Sequence, residues 1–265
     1  PFGIRAVMAG WNWLFFRPGR FVASPGKSAA WNRGAYLVEA AGHCGMCHTP
    51  KNLFGGDETS KAGRGAVLQG WVAPDITSDR RRGIGEWSVD DVVLYLKTGR
   101  NRFDIASGPM AEVVAESTSL LHTDDLAAIA TYLKDQPGGQ PAATPPLAAT
   151  DPVMRQGAAI YADACSACHT AAGGGIVGLF PRLAGAALVR QPDPTSLIHV
   201  VLAGSRAVGT EAAPTAPAMP SFAWKLDDVA AAAVLTYVRN SWGNAAPAVG
   251  AAAVAAQRAA LHGGS

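Results

Sequence analysis

Cys44-Gly45-Met46-Cys47-His48 and Cys165-Ser166-Ala167-Cys168-His169 repeat one spacing and together use all 4 cysteines of the chain. Two thiols three positions apart can each form a thioether to one edge of a porphyrin, while the imidazole beside the second thiol turns to the iron. The pattern predicts two covalently bound haem c groups, held by Cys44 and Cys47 and by Cys165 and Cys168, with His48 and His169 as iron ligands. Zinc is the main rival, but 117 residues separate the two pairs, far beyond ribbon spacing, and zinc leaves the histidine after each pair unexplained. A disulfide within either pair would be a redox motif of thioredoxin type, and no βαβ pattern surrounds them.

What binds the opposite face of each iron decides between electron carriage and oxygen chemistry. Met110, in Ser107-Gly108-Pro109-Met110, is the sole methionine between the first motif and the proline-rich stretch; Met219, in Pro217-Ala218-Met219-Pro220, is the sole one after the second. Each stands beside proline in an expected loop just upstream of a closing helix, where a thioether can be held over a porphyrin. A lone methionine is more often a core filler. The same placement in both units favours ligation, which raises the reduction potential and leaves no open coordination position. His122 and His199 are rival ligands, each at the edge of or within an expected helix. His43 reads as an exposed neighbour of Cys44, and Met46 lies inside its motif.

A ligating imidazole is normally fixed through its other nitrogen, often by a backbone carbonyl. Pro74, in Trp71-Val72-Ala73-Pro74-Asp75, and Pro181, in Phe180-Pro181-Arg182, stand where such loops pass the haem. Trp71 and Arg182 are candidates to hydrogen-bond propionates. The competing reading of each is an ordinary loop or core residue.

The elements that must position these groups repeat as well. Asn32–Val38 and Arg155–Tyr161 lead into the two motifs, each with a glycine, Gly34 or Gly157, where another helix can cross closely. Closing helices are expected from Asp124 to Leu133, with Thr123 as cap, and from Asp227 to Val238; their acidic starts suit the positive helix N-terminus. Ser88–Thr98, capped by Ser88 and apolar at Val92, Val93, Tyr95 and Leu96, is a middle helix, with Thr195–Leu202 as its counterpart. Strand signals are sparse. The fold class is therefore mainly α, in two tandem domains joined by a proline-rich linker. The divisions are a connecting segment 1–29, a first haem domain 30–136, a linker 137–152, a second haem domain 153–244 and a tail 245–265. Units of this size with few helices are marginal on their own apolar area, so haem is expected to complete each core and the haem-free chain to fold poorly.

The formal net charge of +2 is too mild to argue for nucleic acid, and no run of about 18 apolar residues suggests a membrane span. Arg80-Arg81-Arg82 reads as a solvated turn. Gly173-Gly174-Gly175-Ile176-Val177-Gly178 matches a dinucleotide fingerprint formally, yet it follows a haem motif rather than a strand and reads as haem-wrapping loop. Pro1 is no translational start, and no leader pattern follows it, so sequence is expected to have been removed upstream.

Several stretches resemble a narrower family: Trp31–Val38, Gly42–Pro50, Leu68–Thr77, and Met219-Pro220 with Trp224. They are similar to the multihaem cytochrome c subunits of bacterial membrane-associated dehydrogenases for alcohols, sugars and sugar acids, built of class I cytochrome c domains. The resemblance implies three such domains in a row, which take electrons from a catalytic subunit carrying flavin, quinone or molybdenum and pass them to ubiquinone. It also implies peripheral contact with the periplasmic face of the cytoplasmic membrane through a C-terminal amphipathic helix. Here there are two motifs, and Phe2–Phe21 resembles the stretch that joins a first haem domain to a second. Ala245–His262, alanine-rich with Arg258 as its one charged residue, is expected to touch a membrane only weakly. The implied role is a dihaem electron relay rather than an enzyme; a dihaem peroxidase and a free periplasmic shuttle are the alternatives.

Overall fold

The computed structural model describes residues 5–139 and 144–263. The first half of the chain holds α1 (Arg5–Phe15), α2 (Ala29–Ala35, continued by a π turn, Tyr36–Ala41), α3 (Gly45–His48), α4 (Val89–Thr98), α5 (Pro109–Glu116) and α6 (Thr123–Lys134). The second half holds α7 (Pro152–Ala164), α8 (Ser166–His169), α9 (Thr195–Ala203), α10 (Asp228–Asn240) and α11 (Ala251–Gly263). Two short antiparallel hairpins complete it: β1 (Ala66–Leu68) with β2 (Trp71–Ala73), Val67 facing Val72, and β3 (Ser205–Arg206) with β4 (Ala218–Met219), Ser205 facing Met219.

Local chemistry sets the helix ends. Ser88 opens α4 with a reciprocal box, its hydroxyl accepting from the Asp91 amide while the Asp91 carboxylate accepts from the Ser88 amide. Asp151 and Asp227 cap α7 and α10 by accepting from Val153 and Ala230. In α6 the cap position belongs to His122, without a side-chain bond, and Thr123 is already the first helical residue. Pro152 likewise belongs to α7, where its missing N–H costs nothing, so the proline-rich connection ends at Asp151. Of that connection, 140–143 lie outside the described residues, as do 1–4, the start of the expected joining stretch.

Of three buried clusters among the described residues, two lie one in each half, and the third joins Ala106 and Val114 to Val208 across them. The first gathers Leu37, Trp87, Val92, Leu96, Phe103, Leu126 and Ile129; the second gathers Tyr161, Val189, Ile198, Leu202, Val234 and Leu235. Each surrounds a crossing of the helix before the motif with the closing helix, α2 on α6 and α7 on α10. The glycines set how closely these approach. A Cβ on Gly34 would lie 1.9 Å from the Ala128 carbonyl oxygen, and one on Gly157 would lie 2.2 Å from that of Ala233. Arg239 is a buried peg in the second half, donating to the carbonyls of Val189, Gln191, Pro192 and Pro247. Burial pulls its pKa down to about 10, still far above neutrality.

Beside the small apolar cluster at Val208, the halves meet over a polar and aromatic seam. Val72 donates to the Ser196 hydroxyl at 2.6 Å, and Trp71 stacks on His199 with centroids 4.0 Å apart. Arg100 donates to the carbonyls of Gly178 and Thr215. Two of the three arginines belong to this seam, contrary to the reading of the triplet as a solvated turn: Arg81 donates to the Ala245 carbonyl, and Gln191 donates to that of Arg82, while Arg80 is exposed. The C-terminal stretch is also no loose tail. In α11 Val254 is fully buried, and Arg258 pairs with Asp228 and donates to the carbonyls of Ala223 and Leu226.

Two outcomes follow for stability. Gly34→Val forces α2 and α6 apart and is expected to cost about 3 kcal/mol; thermal unfolding at an unchanged midpoint contradicts the close crossing. Asp104 lies at the seam, accepting from the Ile105 amide, with Arg182 and the phenol of Tyr95 as its charged and titratable neighbours. Burial pushes its pKa up from 3.8 to about 6. Folding therefore costs nothing extra below about pH 4, where the acid is neutral in both states, and loses stability as pH rises through that window. Asp104→Asn is expected to stabilise by about 2 kcal/mol at neutral pH and not at pH 4; denaturant midpoints that shift equally at both pH values contradict it.

Candidate haem-binding sites

Each motif is a single helical turn. The His48 amide donates to the Cys44 carbonyl and the His169 amide to the Cys165 carbonyl, both at 3.0 Å, so the first thiol and the imidazole share a helix face. All four thiols are free, Cys44, Cys47 and Cys165 half-buried and Cys168 exposed. Burial raises the Cys44 pKa and pushes that of Cys165 up to about 11, which keeps both as neutral thiols.

The two imidazoles are held alike. His48 Nδ1 lies 2.7 Å from the Pro74 carbonyl oxygen, and His169 Nδ1 lies 2.9 Å from that of Pro181. A carbonyl only accepts, so Nδ1 carries the proton and Nε2 is left with its lone pair for a metal. Burial lowers the pKa of both rings, favouring the neutral form that ligation needs.

Gly65 escaped the sequence reading, and Gly175 was read only as part of a haem-wrapping loop. Gly65, at φ 83°, donates to the His48 carbonyl at 2.8 Å, and Gly175, at φ 63°, donates to the His169 carbonyl at 3.0 Å. A Cβ on Gly65 would lie 2.8 Å from the Ala73 carbonyl oxygen, and one on Gly175 would lie 2.4 Å from that of Phe180. Only glycine combines this backbone with such proximity, so each clamps its proline segment against its histidine. The sequence offers no common offset, because Gly65 follows His48 by seventeen residues and Gly175 follows His169 by six.

The methionines sit in different settings. Met219 is in β4, half-buried, as part of a hairpin rather than a plain loop. Met110 is not in a loop: Pro109 takes the first position of α5, and Met110 follows in its first turn, packed against the first cluster. Proline there starts a helix because its fixed φ is already helical and its missing N–H has no role. Trp71 connects the two sides of this site. Its indole lies so close to Gly108 that a Cβ there would be 2.8 Å from Cζ2, and it opens β2, which runs toward Pro74.

Of the rival ligands, His122 caps α6 at the surface, and His199 is taken up by its stack on Trp71. His43 and Met46 are exposed. Arg182 lies at the seam, 4.5 Å over the Phe103 ring and 3.8 Å from Glu86, and its Nε is buried without a partner. Free thiols, imidazoles with Nε2 open and an orphaned buried guanidinium nitrogen fit a haem with its propionates. A cavity of about 500 Å³ borders the first motif, lined by Val38, Glu39, Met46, Ile76, Tyr132 and Leu133 among others, with Tyr132 donating to Glu39. Neither His48 nor Met110 lines it.

The family model of cytochrome c matches residues 154–242. The chain is 38% identical over 270 residues to the gluconate 2-dehydrogenase cytochrome c subunit of Pantoea cypripedii, covering 94% of this chain and 60% of that one. It is 41% identical over 231 residues to the cytochrome c subunit of the quinone alcohol dehydrogenase of Gluconobacter oxydans, covering 81% and 48%. To the fructose dehydrogenase cytochrome subunit of Gluconobacter japonicus it is 34% identical over 284 residues, covering 98% and 58%. The chain thus spans about half to three fifths of the length of these relatives. With its paired attachment motifs, the chain belongs to the cytochrome c family and is similar along most of its length to cytochrome c subunits of dehydrogenases.

Proposed function

We propose that this chain is a dihaem electron-transfer module, in which two class I cytochrome c domains, 30–136 and 153–244, are joined by the proline-rich linker 137–152. Cys44, Cys47 and His48 would hold one haem c, and Cys165, Cys168 and His169 the other, with Met110 and Met219 as the opposite ligands. When bound, the cofactor supplies a reversible one-electron change at iron. The observation that carries the reading is the repeated bond from Nδ1 to a proline carbonyl, which fixes the tautomer and orientation of each histidine.

The protein's own groups then do three things. Pro74 and Pro181 hold the imidazoles, Met110 and Met219 would supply the remaining iron ligands, and the clusters around Leu126 and Val234 keep water away. Trp71 on His199 and Val72 on Ser196 hold the halves in contact, which favours a relay from one site to the next. By likeness to subunits named for gluconate, alcohol and fructose dehydrogenases, the electron donor is a catalytic dehydrogenase subunit. The acceptor side is ubiquinone, at the periplasmic face of the cytoplasmic membrane, with peripheral membrane contact.

Haem counting tests the reading. The holoprotein should carry two haems per chain in a reduced pyridine haemochrome assay, and Cys44→Ser with Cys47→Ser, or Cys165→Ser with Cys168→Ser, should each leave one. Met110→Ala should lower the potential of one haem and leave the other unchanged in an optical redox titration. A single haem in the parent, or rapid peroxide turnover at an open site, contradicts the proposal.

A further inference from the structure

Each methionine-bearing element is gripped by the opposite half of the chain. Helix α4 ends at Gly99, whose φ of 73° turns the chain back, so that the Ala106 amide donates to the Gly99 carbonyl at 2.7 Å and Gly108-Pro109-Met110 follows directly after. Val208 of the second half is seated on this turn. A Cβ on Gly99 would lie 2.2 Å from the Val208 Cγ1, 3.6 Å from that of Val114 and 3.7 Å from the Ala106 Cβ. Val114 is fully buried and follows Met110 by four residues in α5, which places both on one helix face. Met110 packs against the cluster that Ala106, Val114 and Val208 form. The methyl groups of Val208 therefore fill the space beside the helix face that carries Met110.

The reverse contact starts at the next residue. The Arg100 guanidinium donates to the Gly178 and Thr215 carbonyls of the second half, both at 3.0 Å. Thr215 lies on the arm that leads through Pro217 to Met219, and Gly178 lies in the loop between Gly175 and Pro181, the two residues bonded to His169. The backbone of each element is fixed without these two side chains. The hairpin keeps its register through Ser205 with Met219 and Arg206 with Ala218, and through the bond from the Ala207 amide to the Pro217 carbonyl. The turn keeps its shape through the bond between Gly99 and Ala106 and the pairing of Arg100 with Ile105. What the side chains of Val208 and Arg100 add is thus directed across the halves.

We infer that Val208 and Arg100 are crossed positioning residues: Val208, in the second half, sets the position of Met110 in the first, and Arg100, in the first half, sets the loops that carry Met219 and hold His169 in the second. This rests on the ligation by Met110 and Met219 proposed above and adds that each ligand is held by the half to which it does not belong. A methionine side chain has three rotatable bonds, so the packing around it fixes its sulfur. Loss of that packing lowers the share of molecules with the thioether in place, and a competing ligand then binds more tightly by the factor by which the open share has grown.

Imidazole binding to the ferric holoprotein tests this, because imidazole takes the iron position only when the methionine leaves it. Met110→Ala and Met219→Ala first identify the two haems, each by the fall of one midpoint potential and the loss of that haem's share of the far-red sulfur-to-iron charge-transfer band. Val208→Ala should then raise the imidazole affinity of the first haem by about tenfold and lower its midpoint potential, with the second haem close to the parent; Arg100→Met should do the reverse. Unchanged far-UV circular dichroism and haem content show that the variants fold. Effects confined to the haem of the substituted half, equal effects at both haems, or none at either, overturn the inference and leave the ligation reading standing. Methionine variants that keep the band and both potentials overturn the ligation reading, and the inference with it.

Discussion

The bond from a motif histidine to a proline carbonyl is the constraint around which each half is arranged. An imidazole free to rotate presents either nitrogen and either tautomer; one that donates from Nδ1 presents Nε2 in one direction. Holding that carbonyl in place takes a loop pressed against the motif, and Gly65 and Gly175 allow the approach that a Cβ would block. The motif turn must in turn be anchored. Its leading helix is pinned on the closing helix at Gly34 or Gly157, so the crossing, the motif, the glycine and the proline form one connected arrangement in each half.

The seam between the halves uses the same residues for a second purpose. Trp71 borders Gly108 at the entry to the Met110 helix and also stacks on His199, so the element that leads to Pro74 in the first half touches the middle helix of the second. Arg182 follows Pro181 directly and reaches Phe103 and Glu86 of the first half. Groups within three residues of Pro74 and Pro181 therefore build the contact between sites. Such a contact suits one-electron transfer, which depends on a fixed and short separation rather than on movement of the halves.

What could be read in the sequence was what local chemistry dictates. Covalent attachment imposes a fixed spacing on Cys44, Cys47 and His48, and helix capping imposes one on Ser88 and Asp91, so both were visible in a single chain. Gly34 and Gly157 were visible because a glycine inside a helix that leads into the motif has few uses besides letting another helix cross closely. The misreadings came from long-range contacts and one positional rule. Arg80-Arg81-Arg82 looked like a solvated charge run, but its backbone and Arg81 are tied to residues more than a hundred positions away. Pro109 was taken for a loop marker when proline at the first helical position starts α5. The alanine-rich C-terminus looked weakly amphipathic, yet Val254 and Leu261 pack into the second cluster and Arg258 pairs with Asp228, which folds it back onto α9 and α10.

The claim on which the account turns is that both sites are closed, each iron held between a motif histidine and a methionine. Electron paramagnetic resonance of the fully oxidised holoprotein measures this directly, through the spin state and integrated intensity of the ferric signals. Two low-spin haems per chain and no high-spin component are the predicted result. A high-spin signal accounting for one of the two haems would contradict it.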